Sequence, residues 1–344
     1  MVFAQNSNDI GYQQLAGKYG STDGICLFED GKFLLYGYAT AVFGSYKFEQ
    51  DHLFFYPEKP PLFEVYATHN KSIGDSTKIN FVGFERGART YIRMGKGRPM
   101  PVFNEDANCF NSPYVYQQAQ KTQEFTLYAQ QTEETGLSSV NGNNAYTYQN
   151  QLLYNDFMIV HNAAKREYEN FSATVIKSDK GQTLRLSNFG GEQGYVRHTV
   201  AEQDEQWKEI LDMKNNYYES KLRIADGALA NKHYNNFFRV LKEYDFDASL
   251  NQYVSKSATE NEGYFRDNPY NDDRFLRKFI KQQPVKMTKA NLSVKEISSK
   301  SIFFSVCGEG AEKSYRYKGL NNQNSNGDEN PRTIITPVPP PQKQ

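Results

Sequence analysis

Residues 24–59, GICLFEDGKFLLYGYATAVFGSYKFEQDHLFFYPEK, constrain the fold more than any other stretch of the chain. Three short runs of apolar and aromatic residues are cut by turns at Glu29-Asp30-Gly31 and Glu49-Gln50-Asp51. Before the second turn Tyr46 and Phe48 alternate with Ser45, Lys47 and Glu49, the period of a strand with one wet face. Strands joined by such short turns predict an antiparallel meander.

The pattern continues downstream. Phe63, Val65 and Ala67 alternate with Glu64, Tyr66 and Thr68, and strands are expected again at 79–84, at 91–94 and around Phe125 and Leu127. Residues 70–77 read as a polar connection, and 98–116 as a Pro- and Asn-rich surface crossing. That makes about eight strands in the first ~130 residues, with no helix among them. Residues 130–150 carry few aliphatic side chains and many turn formers, so the expected division is a leader over 1–10, an antiparallel β domain over 11–130, a linker over 131–150 and an α+β domain over 151–320. A Pro-rich tail over 321–344 cannot bury a core.

The expected second domain opens on strands at 152–160, 171–176 and 184–186. Thr199 and Glu202 form a capping box before a helix carrying Trp207, Ile210, Leu211 and Tyr218 on one face. Tyr234, Phe237, Phe238, Leu241 and Tyr244 have helical spacing, and Asp272-Asp273 precede a third apolar-periodic run ending before Pro284. Strands return at 292–297, 302–306 and 314–317. The fold class is therefore mainly β with an α+β second half.

Composition narrows compartment and partners. Lys plus Arg equals Asp plus Glu at 40 each, leaving no net charge to attract nucleic acid. No run approaches the ~20 apolar residues that span a bilayer, so no transmembrane segment is expected. Val2 and Ala4 have the small-x-small spacing of a signal-peptidase site before Gln5, which predicts a secreted or periplasmic protein. Cys26, Cys109 and Cys307 are too few for a disulfide framework: they allow one bridge with a leftover thiol, or three buried thiols.

Leu15-Ala16-Gly17-Lys18-Tyr19, Glu29-Asp30-Gly31-Lys32-Phe33 and Gly44-Ser45-Tyr46-Lys47-Phe48 resemble the small secreted lipocalin-like domains of bacteria, over the first third of the chain. Tyr19 stands where many such domains carry Trp. The resemblance implies an up-and-down β-barrel with an apolar interior; a β-sandwich fits the same strands.

No residue pattern points to a particular chemistry. Glu105 and Asp106, within NEDANC, are candidate cation ligands, yet the segment lacks the glycine and alternating oxygens of a calcium loop. Cys109 has no histidine near it in sequence to act as base. The five histidines, His52, His69, His161, His198 and His233, form no zinc motif, and Gly190, Gly191 and Gly194 do not follow the dinucleotide order. No metal or other cofactor is expected. The expectation is a non-catalytic binding protein for a small apolar or amphipathic molecule, or for an envelope protein or glycan. Its lining would be Phe33, Leu35, Tyr46, Phe48, Phe55, Val65 and Phe81. The rival readings are an envelope hydrolase with a carboxylate site between domains and a structural or adhesive surface module.

Overall fold

A computed structural model describes residues 7–49, 52–85, 89–130, 144–178, 181–198, 200–225, 227–290 and 292–320. The expected leader site, the tail from 321 and Thr199 of the capping box lie outside them. The protein is mainly β, and it divides into two compact units that are each discontinuous in sequence. Among the described residues, those up to 60 join with 164–221, and those from 61 to 163 join with 222–320. The boundary expected at 131–150 therefore falls inside the second unit, where Asn144–Gln149 pairs with Glu124–Gln130.

The first unit is a nearly closed, eight-stranded antiparallel barrel. Its order is Gly17–Gly20, Gly24–Leu27, Lys32–Gly37, Thr40–Glu49, His52–Pro57, Phe171–Ser178, Gly181–Leu186 and Tyr195–Val196. The meander legible at 24–59 supplies the middle of it. A Tyr19–Arg197 bridge and a 2.9 Å bond from the His198 amide to the Lys18 carbonyl draw the last strand to the first. Arg197 reinforces that seam by donating to the Gln14 carbonyl at 3.0 Å.

Alternate residues of each strand point inward. Tyr19, Ile25, Leu27, Phe33, Leu35, Tyr46, Leu53, Phe55, Phe171 and Leu184 form one buried cluster. Phe55 stacks on Phe171 with centroids 4.6 Å apart, Phe33 meets both edge-on, and Tyr46 stacks on Phe55. Rings in these geometries fill a small barrel. The outward-facing Cys26, Phe28, Leu34 and Phe43 are apolar because the helix Val200–Ala225 covers them with Trp207, Ile210, Tyr217 and Tyr218. Leu211, expected on that face, is exposed, and Tyr217 stacks on Phe43 at 4.2 Å instead.

The second unit packs two sheets face to face. One runs Tyr114–Gln118, Thr77–Val82, Asp156–His161, Phe63–Thr68, Phe275–Gln282, Gln252–Ser255 and Tyr244–Asp247, with Ala228–Ala230 pairing against Phe275–Gln282. The other runs Lys286–Lys289, Asn144–Gln149, Glu124–Gln130, Arg89–Met94 and Met100–Pro101. Their facing side chains, among them Val65, Phe81, Phe125, Phe157 and Ile159, form one core, and Phe125 meets Phe157 edge-on at 5.7 Å.

Several local expectations are corrected in this unit. The apolar run after Asp273 forms the strand Phe275–Gln282, because Leu276 and Phe279 fit the pleat of a sheet already present. The 234–244 segment is not an α-helix; apart from a short 3₁₀ turn at Leu241–Glu243 it runs as irregular chain over a sheet face. No strand forms at 292–297, 302–306 or 314–317, where turns and an isolated Phe103–Phe303 bridge stand. The 98–116 segment contributes buried Val102 and Tyr114 to the core rather than only crossing the surface. Ser7–Leu15 adds a helix where none was expected.

Candidate functional site

The sequence DFMIVH of the strand Asp156–His161 is buried at every position. A strand with one wet face would alternate; this one lies between Phe63–Thr68 and a parallel neighbour, Thr77–Val82, and both its faces are covered. Phe157 and Ile159 face the sandwich core. Met158 and Val160 face the other way, in a second cluster with Tyr66, Ala230, Tyr234 and Phe279.

Chain segment 227–241 covers that outer face, and between the two lies a groove of about 450 Å³. Its floor is Tyr66, Met158 and Val160; Leu229, Phe237, Phe238, Val240 and Leu241 form a wall. Phe238 and Val240 are 42% and 56% exposed, so apolar surface remains open to solvent there. The polar residues of the lining are Glu64, Asn162, Asn236, Arg239 and Lys278.

A buried polar network holds the wall in place. Asn231 receives the amides of His233 and Asn235 on its Oδ1 and donates to the carbonyls of Tyr270 and Asp272. The turn so formed puts Tyr234 at φ +64°, a left-handed conformation that bulky residues rarely take. Its phenol is thereby delivered under the segment, where it donates to Asp156 Oδ1 at 2.6 Å. Asn70 donates to Asp156 Oδ2 at 2.6 Å. Burial pushes the Asp156 carboxyl up; these two donors and the charges of Lys78 and Arg277 oppose that shift. The chain then returns to the sheet through an Ala230–Asn236 bridge and a 2.9 Å bond from the Phe237 amide to the Leu229 carbonyl. Asp156 and Tyr234 are fully enclosed and act as positioning residues for the wall.

The charges around the groove are unevenly matched. Glu64 accepts from Lys281 at 2.7 Å, from the Tyr66 phenol at 2.7 Å and from Asn162 at 3.2 Å. Arg239 bonds Asp273 through Nε at 2.8 Å. Half-buried Lys278 has no ion pair among the described residues, and Asn236 Oδ1 is buried without a hydrogen-bond partner. Arg239 also lines a second, polar recess of about 560 Å³ with Lys242, Ser255, Lys256, Ser257 and Arg274.

The residues expected to line a pocket are divided between the units. Phe33, Leu35, Tyr46 and Phe55 sit in the barrel core, and Phe48 is half-buried beneath Tyr12, whose ring meets it edge-on at 4.9 Å. Val65 and Phe81 sit in the sandwich core of the other unit. The groove residues were missed, although the unbroken apolar run 157–160 signals a strand covered on both faces.

The polar 104–109 segment is engaged in tying down the chain 303–307. Asn104 Oδ1 accepts the Ser305 amide at 2.8 Å, Asn108 Oδ1 accepts the Cys307 amide at 2.8 Å, and Cys109 is disulfide-bonded to Cys307. Glu105 and Asp106 project from an exposed turn, with Glu105 paired to Arg89. Among the described residues no group of three or more His, Cys, Asp or Glu could hold a metal ion, and no helix is long and apolar enough to cross a membrane. No protein-family model, curated protein or solved structure matches the chain.

Proposed function

We propose that this is a secreted or periplasmic protein that binds a small apolar or amphipathic molecule without transforming it, in the groove of the sandwich unit. The observation that carries the reading is the groove itself: a concave site of about 450 Å³ with an apolar floor and wall and a few polar groups among them. Small-molecule sites have this build. The enclosed Asp156–Tyr234 pair fixes the wall before any ligand arrives, which lowers the ordering cost of binding.

The Cys109–Cys307 bridge favours an oxidising compartment, since such bridges rarely persist in the cytosol. The nearly closed eight-stranded antiparallel barrel is compatible with a lipocalin-like domain. Its interior, filled by Phe33, Phe55, Phe171 and Tyr46, leaves the ligand role to the other unit. A hydrolase has less behind it, because Glu105 and Asp106 lie on an exposed turn rather than in a pocket.

Two measurements test this. Protein purified from its own compartment should carry a mass excess under native conditions that is lost on denaturation. Val240→Asp, which places a charge in the exposed wall, should leave the fold intact and weaken binding of the neutral dye Nile red at least tenfold. Unchanged dye binding by a folded Val240→Asp variant would sink the reading.

A further inference from the structure

The charge balance of the groove identifies its ligand more closely than its shape does. Three lining side chains ionise: Glu64, Arg239 and Lys278. Glu64 is matched, with the Lys281 ammonium, the Tyr66 phenol and the Asn162 amide around its two oxygens. Arg239 is matched by Asp273. Lys278 is left over, half-buried on the strand Phe275–Gln282 opposite Leu229 and without an acid among the described residues. A cation flanked by apolar side chains is poorly solvated, so an anion brought to it gains more than in open water.

We infer that the occupant is a single-chain anionic amphiphile, its hydrocarbon chain lying on Tyr66, Met158 and Val160 and its acidic group neutralising Lys278. This rests on the groove reading above and names the class of ligand that the groove takes. Both a free fatty acid and a lysophospholipid-type phosphate supply that chemistry.

The test is displacement of Nile red by probes with one tail and different heads: laurate, dodecyl phosphate and neutral monolauroylglycerol. The proposal expects the anionic probes to bind about tenfold tighter than the neutral one. Lys278→Gln should erase that gap, and Lys278→Arg should restore it. Preference for laurate identifies a carboxylate ligand, and preference for dodecyl phosphate a phosphate one. Equal binding of all three heads, or a gap that survives Lys278→Gln, overturns the anionic assignment while leaving the groove standing. No binding of dye or probe removes the groove reading and this inference with it.

Discussion

The Tyr234 phenol donates to Asp156 Oδ1 at 2.6 Å from a backbone held at φ +64°, so this buried hydrogen bond joins the Asn231 network in retaining a strained turn. The two residues lie 78 positions apart and join the groove wall to the central strand of its floor. Tyr234→Phe keeps the ring and removes the donor, leaving one oxygen of an enclosed carboxyl unserved. The expected loss is about 1.5–3 kcal/mol of stability by urea denaturation, the range for bonds to charged groups. Dye affinity should fall too, because residues 236–241 follow directly from the turn. A Tyr234→Phe protein with wild-type stability and affinity would show that the wall is held elsewhere.

Two buried histidines contribute to the response to acid. Burial lowers His161 and His233 from the usual 6.5 to about 4. A histidine depressed in the folded state contributes stability that is complete above its unfolded pKa and lost as the pH falls toward the folded one. Stability should therefore decline between about pH 6.5 and pH 4. Asp156 runs the other way: its raised carboxyl is least costly below the ordinary 3.8 and penalises folding as the pH rises. His161 lies 5.4 Å from both Phe63 and Phe84, so His161→Phe suits its surroundings. That variant should flatten the slope of the denaturation midpoint between pH 7 and pH 4.5, whatever its stability at pH 7. An unchanged slope would clear His161 of the acid response.

Local strand pattern was legible in the sequence wherever hairpins join neighbours, which is why residues 24–57 read correctly as a meander. What could not be read is the interleaving: the last three barrel strands follow the insertion of residues 61–163. Short-range periodicity carries no information about which distant strand closes a sheet. The helix–strand errors have a related cause. Tyr234, Phe237, Phe238 and Leu241 have helical spacing because each answers a different demand, Tyr234 toward Asp156 and the others along a groove wall. The site was legible only indirectly, through the unbroken apolar run 157–160.

The cysteines allow a direct count. Cys109 and Cys307 are bonded, and Cys26 is buried in the barrel wall with its thiol pushed by burial up to about 12. A thiol reagent should find no reactive group in the native protein, one after unfolding without reductant, and three after unfolding with it. Because the bridge spans 198 residues, the Cys109→Ser, Cys307→Ser pair should lose about 3–5 kcal/mol by the loop-entropy argument. Three thiols in the unfolded, unreduced protein, or a stable double variant, would contradict the bridge or its contribution.

Gly44 and Phe33 test whether the barrel interior is closed. A Cβ on Gly44 would sit 2.4 Å from the Phe33 ring and 2.5 Å from the Tyr56 carbonyl oxygen, so the clash is with a fixed backbone as well as a side chain. Phe33 cannot simply swing aside, because it is held edge-on against Phe55 and Phe171. Gly44→Ala should therefore destabilise by roughly 1–3 kcal/mol, the cost of overpacking a filled core. Gly263 serves as the control, since its added Cβ meets nothing within 4 Å and it lies in the helix Glu262–Asp267, so Gly263→Ala should not destabilise the protein. If Gly44→Ala were equally neutral, the Phe33 ring would have free volume to retreat into. The barrel would then hold a cavity of its own and compete with the groove as the place where ligand binds.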